Sequence, residues 1–131
     1  MTHSLSNHFL RASVLYALAG MALGIHMAAS RDHGQHATHA HLMLFGWIGM
    51  TLYALVYRLL PATAEGILPK LHASLAHLGL IGLTAGLYLL YADRIATGEP
   101  IAAVASLALF ANMALFGLIV FRATGRAAAP A

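Results

Sequence analysis

The sequence predicts an all-α membrane protein: four transmembrane helices in an antiparallel up-down bundle, with the N- and C-termini on the cytoplasmic side. Three observations predict it. First, only 8% of the 131 residues are Asp, Glu, Lys or Arg, while 60% are apolar; a soluble domain carries about 25% charge. A chain this poor in charge cannot cover a soluble surface, and contact with lipid accounts for the deficit. Second, four apolar stretches each approach the roughly 20 residues that cross about 30 Å of hydrocarbon. Third, the seven Lys and Arg residues divide five against two between the two sides of those stretches. The chain is expected to form one domain over residues 1–131.

The first helix runs from about residue 9 to 29. The segment before it lacks a short apolar run with a small-residue cleavage site, so it reads as a retained helix. The second is expected at 39–60, closed by Pro61, and the third at 71–91, just after Pro69. The fourth is expected at 100–121, with Pro100 in a tolerated first-turn position. Arg11, Arg58, Lys70, Arg122 and Arg126 share one side, and Arg31 and Arg94 lie on the other. The richer side is expected to be cytoplasmic. The formal net charge of +3 would suggest a nucleic-acid partner in a soluble chain, but here it is a topology signal and no nucleic acid is expected. Gly20 with Gly24, and Gly82 with Gly86, are spaced for close helix packing within the protein.

The absence of cysteine excludes disulfides, thiolate zinc sites, Cys-ligated iron–sulfur clusters and c-type haem attachment. The chemistry lies in the nine histidines. Imidazole inside a membrane is costly unless paired or ligating, so His26, His33, His36, His39, His41, His72 and His77 are all candidates. His39 and His41 are expected at the outer mouth of helix two, with His26 at a similar level. His77 falls about 9 Å inside the inner end of helix three, roughly 20 Å from His41 along the membrane normal. His72 is expected at the inner boundary, solvated by water. On a helix, His39 and His41 are about 200° apart and point to nearly opposite flanks. They are expected to serve different sites. The loop Asp32–His36 is open to two readings: a solvated loop, or a copper or zinc site, since imidazole suits both metals.

The run from His39-Ala-His41 through Phe45-Gly46-Trp47 to Pro61 resembles a metal-bearing helix of subunit I of the haem-copper oxidase and nitric oxide reductase superfamily. In that family, one histidine of such a pair ligates a high-spin haem and the other a low-spin haem in a neighbouring pore. Lys70-Leu-His-Ala-Ser-Leu-Ala-His77 is similar to the family's next helix, where the corresponding histidine is not a ligand. His77 is accordingly expected to make a hydrogen bond between helices near the inner face. Leu15-Tyr16 through Gly20 and Gly24 is loosely similar to the first helix. The fourth helix carries no such signature.

The resemblance implies a non-covalent haem b on His39 and His41, with His26 and His36 as reserve ligands. Arg31 and Arg94 would pair with the haem propionates. It implies electron transfer, or redox or haem sensing, in a bacterial inner membrane. The family subunit has three arcs of four helices and this chain has one. The four acids, Asp32, Glu65, Asp93 and Glu99, all fall in loops. A complete oxidase and proton pumping are therefore not expected. A homotrimer recreating the three arcs, with His41 of one chain and His39 of the next in each gap, is favoured over a dimer with intrachain ligation by His26 and His41. The competing classes are a non-haem copper or zinc protein and a cofactor-free assembly subunit.

Overall fold

The computed structural model describes residues 3–127, and among these every regular element is helical. Four helices are long and apolar enough to cross a membrane. We label them α1 (His3–Ser30), α2 (His36–Leu59), α3 (Leu68–Leu90) and α4 (Ile95–Ala127). A short 3₁₀ turn, Pro61–Ala64, follows α2.

All four helices begin before the stretches expected from hydropathy, for local reasons. Pro69 sits within the first turn of α3, where its missing N–H costs no intrahelical bond. The expected start of α4 at Pro100 is corrected to Ile95. The N–H groups of Thr97 and Gly98 bond to the Arg94 carbonyl and complete a turn before the proline. Two of the tight connections use left-handed backbone at non-glycine residues. Arg31 ends α1 with φ 59° and Asp93 follows α3 with φ 61°. The Arg94 N–H then closes back onto the Leu89 carbonyl at 3.0 Å, satisfying a terminal acceptor.

α2 is not uniform. His36–His41 is α-helical, Leu42–Gly49 adopts π geometry and Met50–Leu59 returns to α. π segments are rare and frequently accompany functional sites. This one begins directly after His41.

Packing follows small residues. α3 and α4 close on each other where Gly79, Gly82 and Gly86 face Leu109, Ala105 and Ala102. A Cβ on Gly79 would lie 2.8 Å from Leu109, and one on Gly86 would enter the Ala102 backbone. α1 and α2 approach as closely, since a Cβ on Gly46 would stand 2.7 Å from that of Tyr16. All four helices meet toward the Pro61 turn in a core of Phe9, Met50, Tyr53, Tyr57, Ala76, Leu80 and Ile119. Toward the Arg31 turn, the remaining buried cluster, Leu83, Leu87, Ala102 and Ala105, belongs to α3 and α4 alone. Large apolar side chains such as Leu15, Leu78, Leu107 and Phe110 stay exposed, as lipid-facing positions should.

Gly86→Val is expected to force α3 and α4 apart and lower stability in detergent by about 1–3 kcal/mol, the usual cost of overpacking. Gly117→Val, where an added Cβ meets nothing within 4 Å, should be near neutral. Unfolding curves of the two variants check the pair.

Candidate functional site

The histidines divide between the two ends of the molecule. At the Arg31 end, the loop before α2 is held to α3. The Gln35 amide donates to the Tyr88 carbonyl at 3.1 Å, and the Thr38 hydroxyl donates to the Gln35 side-chain oxygen at 2.7 Å. This anchors the first turn of α2 and places both histidines of the pair. His39 packs into the α1 seam. Its Nδ1–H donates to the Gly20 carbonyl at 2.7 Å, and a Cβ on Gly24 would lie 3.0 Å from its Cε1. Gly20 and Gly24 therefore pack within the protein as expected, and Gly24 makes room for an imidazole.

His41 looks to another flank. Its Nδ1–H donates to its own helix at the Ala37 carbonyl, 2.8 Å away, and its ring stacks on Phe45 at 5.7 Å. Phe45 packs in turn on both the four-helix core and the α3–α4 cluster. Because His36–His41 is α-helical, the 200° separation read from sequence holds. Both imidazoles thus spend Nδ1 on a backbone carbonyl, which leaves the Nε2 lone pair as the free donor. That is the arrangement metal-ligating histidines adopt.

The other residues at this end are less engaged. His26, His33, His36, Arg31 and Arg94 are exposed. His26 lies two residues beyond Gly24, hence about 200° around α1 from the face that seats His39. The structure does not bring it to His41. The His36 Nδ1–H donates to the His33 carbonyl at 3.2 Å. Among the described residues, no three His, Cys, Asp or Glu side chains gather closely enough to hold a metal ion.

At the Pro61 end, histidines and tyrosines hydrogen-bond one another across helices. His77 on α3 reaches α1 twice. Its Nδ1 hydrogen-bonds the Tyr16 hydroxyl at 2.8 Å, and its Nε2 meets the Nε2 of His8 at 3.0 Å. The expected interhelical hydrogen bond of His77 is present. His72 differs from expectation: it is fully buried, not solvated at a boundary. α3 begins at Leu68, so His72 already lies a turn inside. There Tyr53, Tyr57, Phe9 and Phe116 enclose its ring, with Tyr53 edge-on at 4.6 Å. Its Nδ1 shares a 2.9 Å hydrogen bond with the Tyr57 hydroxyl, while its Nε2 is buried without a partner. Asn112 on α4 donates to the Tyr53 hydroxyl at 3.4 Å, closing this polar centre from the fourth helix.

Sequence reasoning passed over His8, because the first helix was expected to begin at Phe9. The helix starts at His3, so His8 projects from helical backbone towards His77. The signal in the sequence was the pair His8 and Tyr16, eight residues apart and hence about 80° apart in rotation.

Comparison with family models, characterised proteins and solved structures finds no match to this chain. The class is set by the four spanning helices: this is an integral membrane protein.

Tyr57→Phe should cost about 1–3 kcal/mol, because it leaves a buried imidazole without its hydrogen bond. Adding His72→Phe should recover much of that loss, since removing both partners together is close to neutral. Thermal unfolding of the single and double variants reads the difference.

Proposed function

We propose that this chain is a b-type haem-binding membrane protein, built like one four-helix arc of haem-copper oxidase subunit I and working in electron transfer or redox sensing. The observation that carries the reading is the shared geometry of His39 and His41. Each has Nδ1–H tied to a backbone carbonyl and Nε2 left as a donor. An axial ligand to haem iron needs a neutral imidazole held in that tautomer, so the residues present fit the group. When bound, the haem supplies a reversible one-electron change at iron. The protein's part is to hold two imidazoles, exclude water with the α3–α4 side of the bundle, and offer cations to carboxylates. Arg31 and Arg94, exposed at the same end, suit the planar recognition of propionates.

The two ligands occupy different flanks, and His26 faces away, so one chain does not place two of these imidazoles on one iron. Two chains can. A homotrimer gives each gap a His41 from one chain and a His39 from the next, and closed rings arise when one surface meets a different surface of its copy. We place the helices up and down in a bacterial inner membrane with both termini cytoplasmic. The supporting observation is that Arg11, Arg58, Lys70 and Arg122 are all exposed around the Pro61 end.

The detergent-purified protein should show a haem b absorption spectrum. His39→Ala and His41→Ala should each abolish or convert it, while His26→Ala keeps it. Retention in the first two with loss in the third would overturn the ligand assignment. For orientation, cysteines at His33 and Glu65, both exposed, report on the two ends. Impermeant labelling of intact cells should reach the first only.

A further inference from the structure

We infer that His8, His77 and Tyr16 form a proton-entry path from water at the Pro61 end into the membrane interior, with His77 as the group that stores the proton. The path goes beyond haem ligation. It rests on that reading only for its use, which is to offset the charge of an arriving electron.

Four features carry it. The links are short and continuous, at 3.0 Å from His8 to His77 and 2.8 Å from His77 to Tyr16. Every member can donate at one position and accept at another, as a relay requires. The outer member is open to the surface: His8 is exposed and lines a cavity of about 780 Å³ with Ser4, Lys70 and Pro69. It also lines a second cavity of about 570 Å³ with Arg11 and Asn7. The inner members, His77 and Tyr16, are half-buried. Phe9, fully buried, stacks on His77 at 5.8 Å and closes that side to water. From His8 to Tyr16 the path advances about 12 Å along α1.

The chemistry balances without another reactant. With His77 protonated at Nδ1, the His8 Nε2–H donates to the His77 Nε2 lone pair. A hydronium ion gives its proton to His8 Nδ1 and becomes water. The His8 Nε2–H bond breaks as the His77 Nε2–H bond forms. His8 ends neutral in its other tautomer, and His77 ends as an imidazolium whose Nδ1–H donates to the Tyr16 oxygen. Among the described residues, the titratable and cationic groups around His77 and His8 are Tyr16 and Arg11 from α1, and His72 and Lys70 from α3. Tyr16 ties His77 Nδ1 to α1, and the partner of its Nε2, His8, is the one exposed at the surface. The His72–Tyr57 pair makes the contrast, since it hydrogen-bonds nothing that leads to water and His72 Nε2 ends blind.

Hydrogen–deuterium exchange in lipid bilayers, read by nuclear magnetic resonance of labelled histidine and tyrosine, tests the order of the chain. In the unaltered protein, His77 and Tyr16 should exchange much faster than His72. His8→Phe should slow both by about an order of magnitude or more, leaving exchange to local opening. Tyr16→Phe, downstream, should leave His77 fast. His8→Gln, which keeps a hydrogen bond but cannot shift tautomer, should slow exchange as His8→Phe does and covers the case in which that variant fails to fold. Unchanged His77 exchange in both His8 variants would overturn the path, as would equal slowing by Tyr16→Phe. The measurement needs no haem, so its failure is distinct from failure of the haem reading, which the absorption spectrum decides.

Discussion

An imidazole placed in hydrocarbon must find a partner for each nitrogen or leave a costly polar atom unpaired. Among the described residues this chain places histidines inside a bundle that offers no buried carboxylate, and the structure is organised around how they are satisfied. At the Pro61 end, tyrosines take one nitrogen of His72 and one of His77, and His72 Nε2 stays buried without a partner. Tyr57 serves His72 and Tyr16 serves His77, across different helix pairs. Those bonds fix α2 against α3 and α1 against α3 where the apolar surfaces of all four helices meet. At the Arg31 end, backbone carbonyls take one nitrogen of His39 and His41, and no described residue takes the other. The same requirement thus yields tyrosine-paired histidines at one end and an open donor set at the other.

Close backbone approach makes this possible. Gly20 exposes its carbonyl to His39 and Gly24 clears space for the ring, while Gly46 lets Tyr16 lie flat against α2. The Tyr16 hydroxyl then reaches His77. The α1–α2 seam therefore connects the two ends: a helix packed further out would lose the His39 bond and the His77 bond together. The π segment after His41 begins where the pair has been positioned, so it alters the direction of later side chains and leaves the pair's opposite-flank geometry intact.

The four spanning helices were legible because lipid imposes length and composition on a sequence. The glycine pairs were legible because close packing imposes spacing. Helix ends were less so. Hydropathy marks where lipid begins and does not mark where backbone hydrogen bonding stops, which is how His3–His8 and Ile95–Glu99 came to lie inside helices. That error hid His8 and misjudged His72. The opposite flanks of His39 and His41 followed from rotation alone. Their Nδ1 partners did not, since which carbonyl lies within reach depends on how α1 docks. Nothing in composition signals the π turn.

The central claim is that His39 and His41 hold iron between chains. Its most direct test is to express His39→Ala and His41→Ala chains together and measure the haem-to-chain ratio of the purified complex alongside its mass. Ligation between neighbours predicts a complex of three chains in which mixing restores part of the haem signal that each variant lacks alone, because some gaps then receive an intact His39 and an intact His41. No recovery on mixing, in a complex shown by mass to contain both variants, would contradict it.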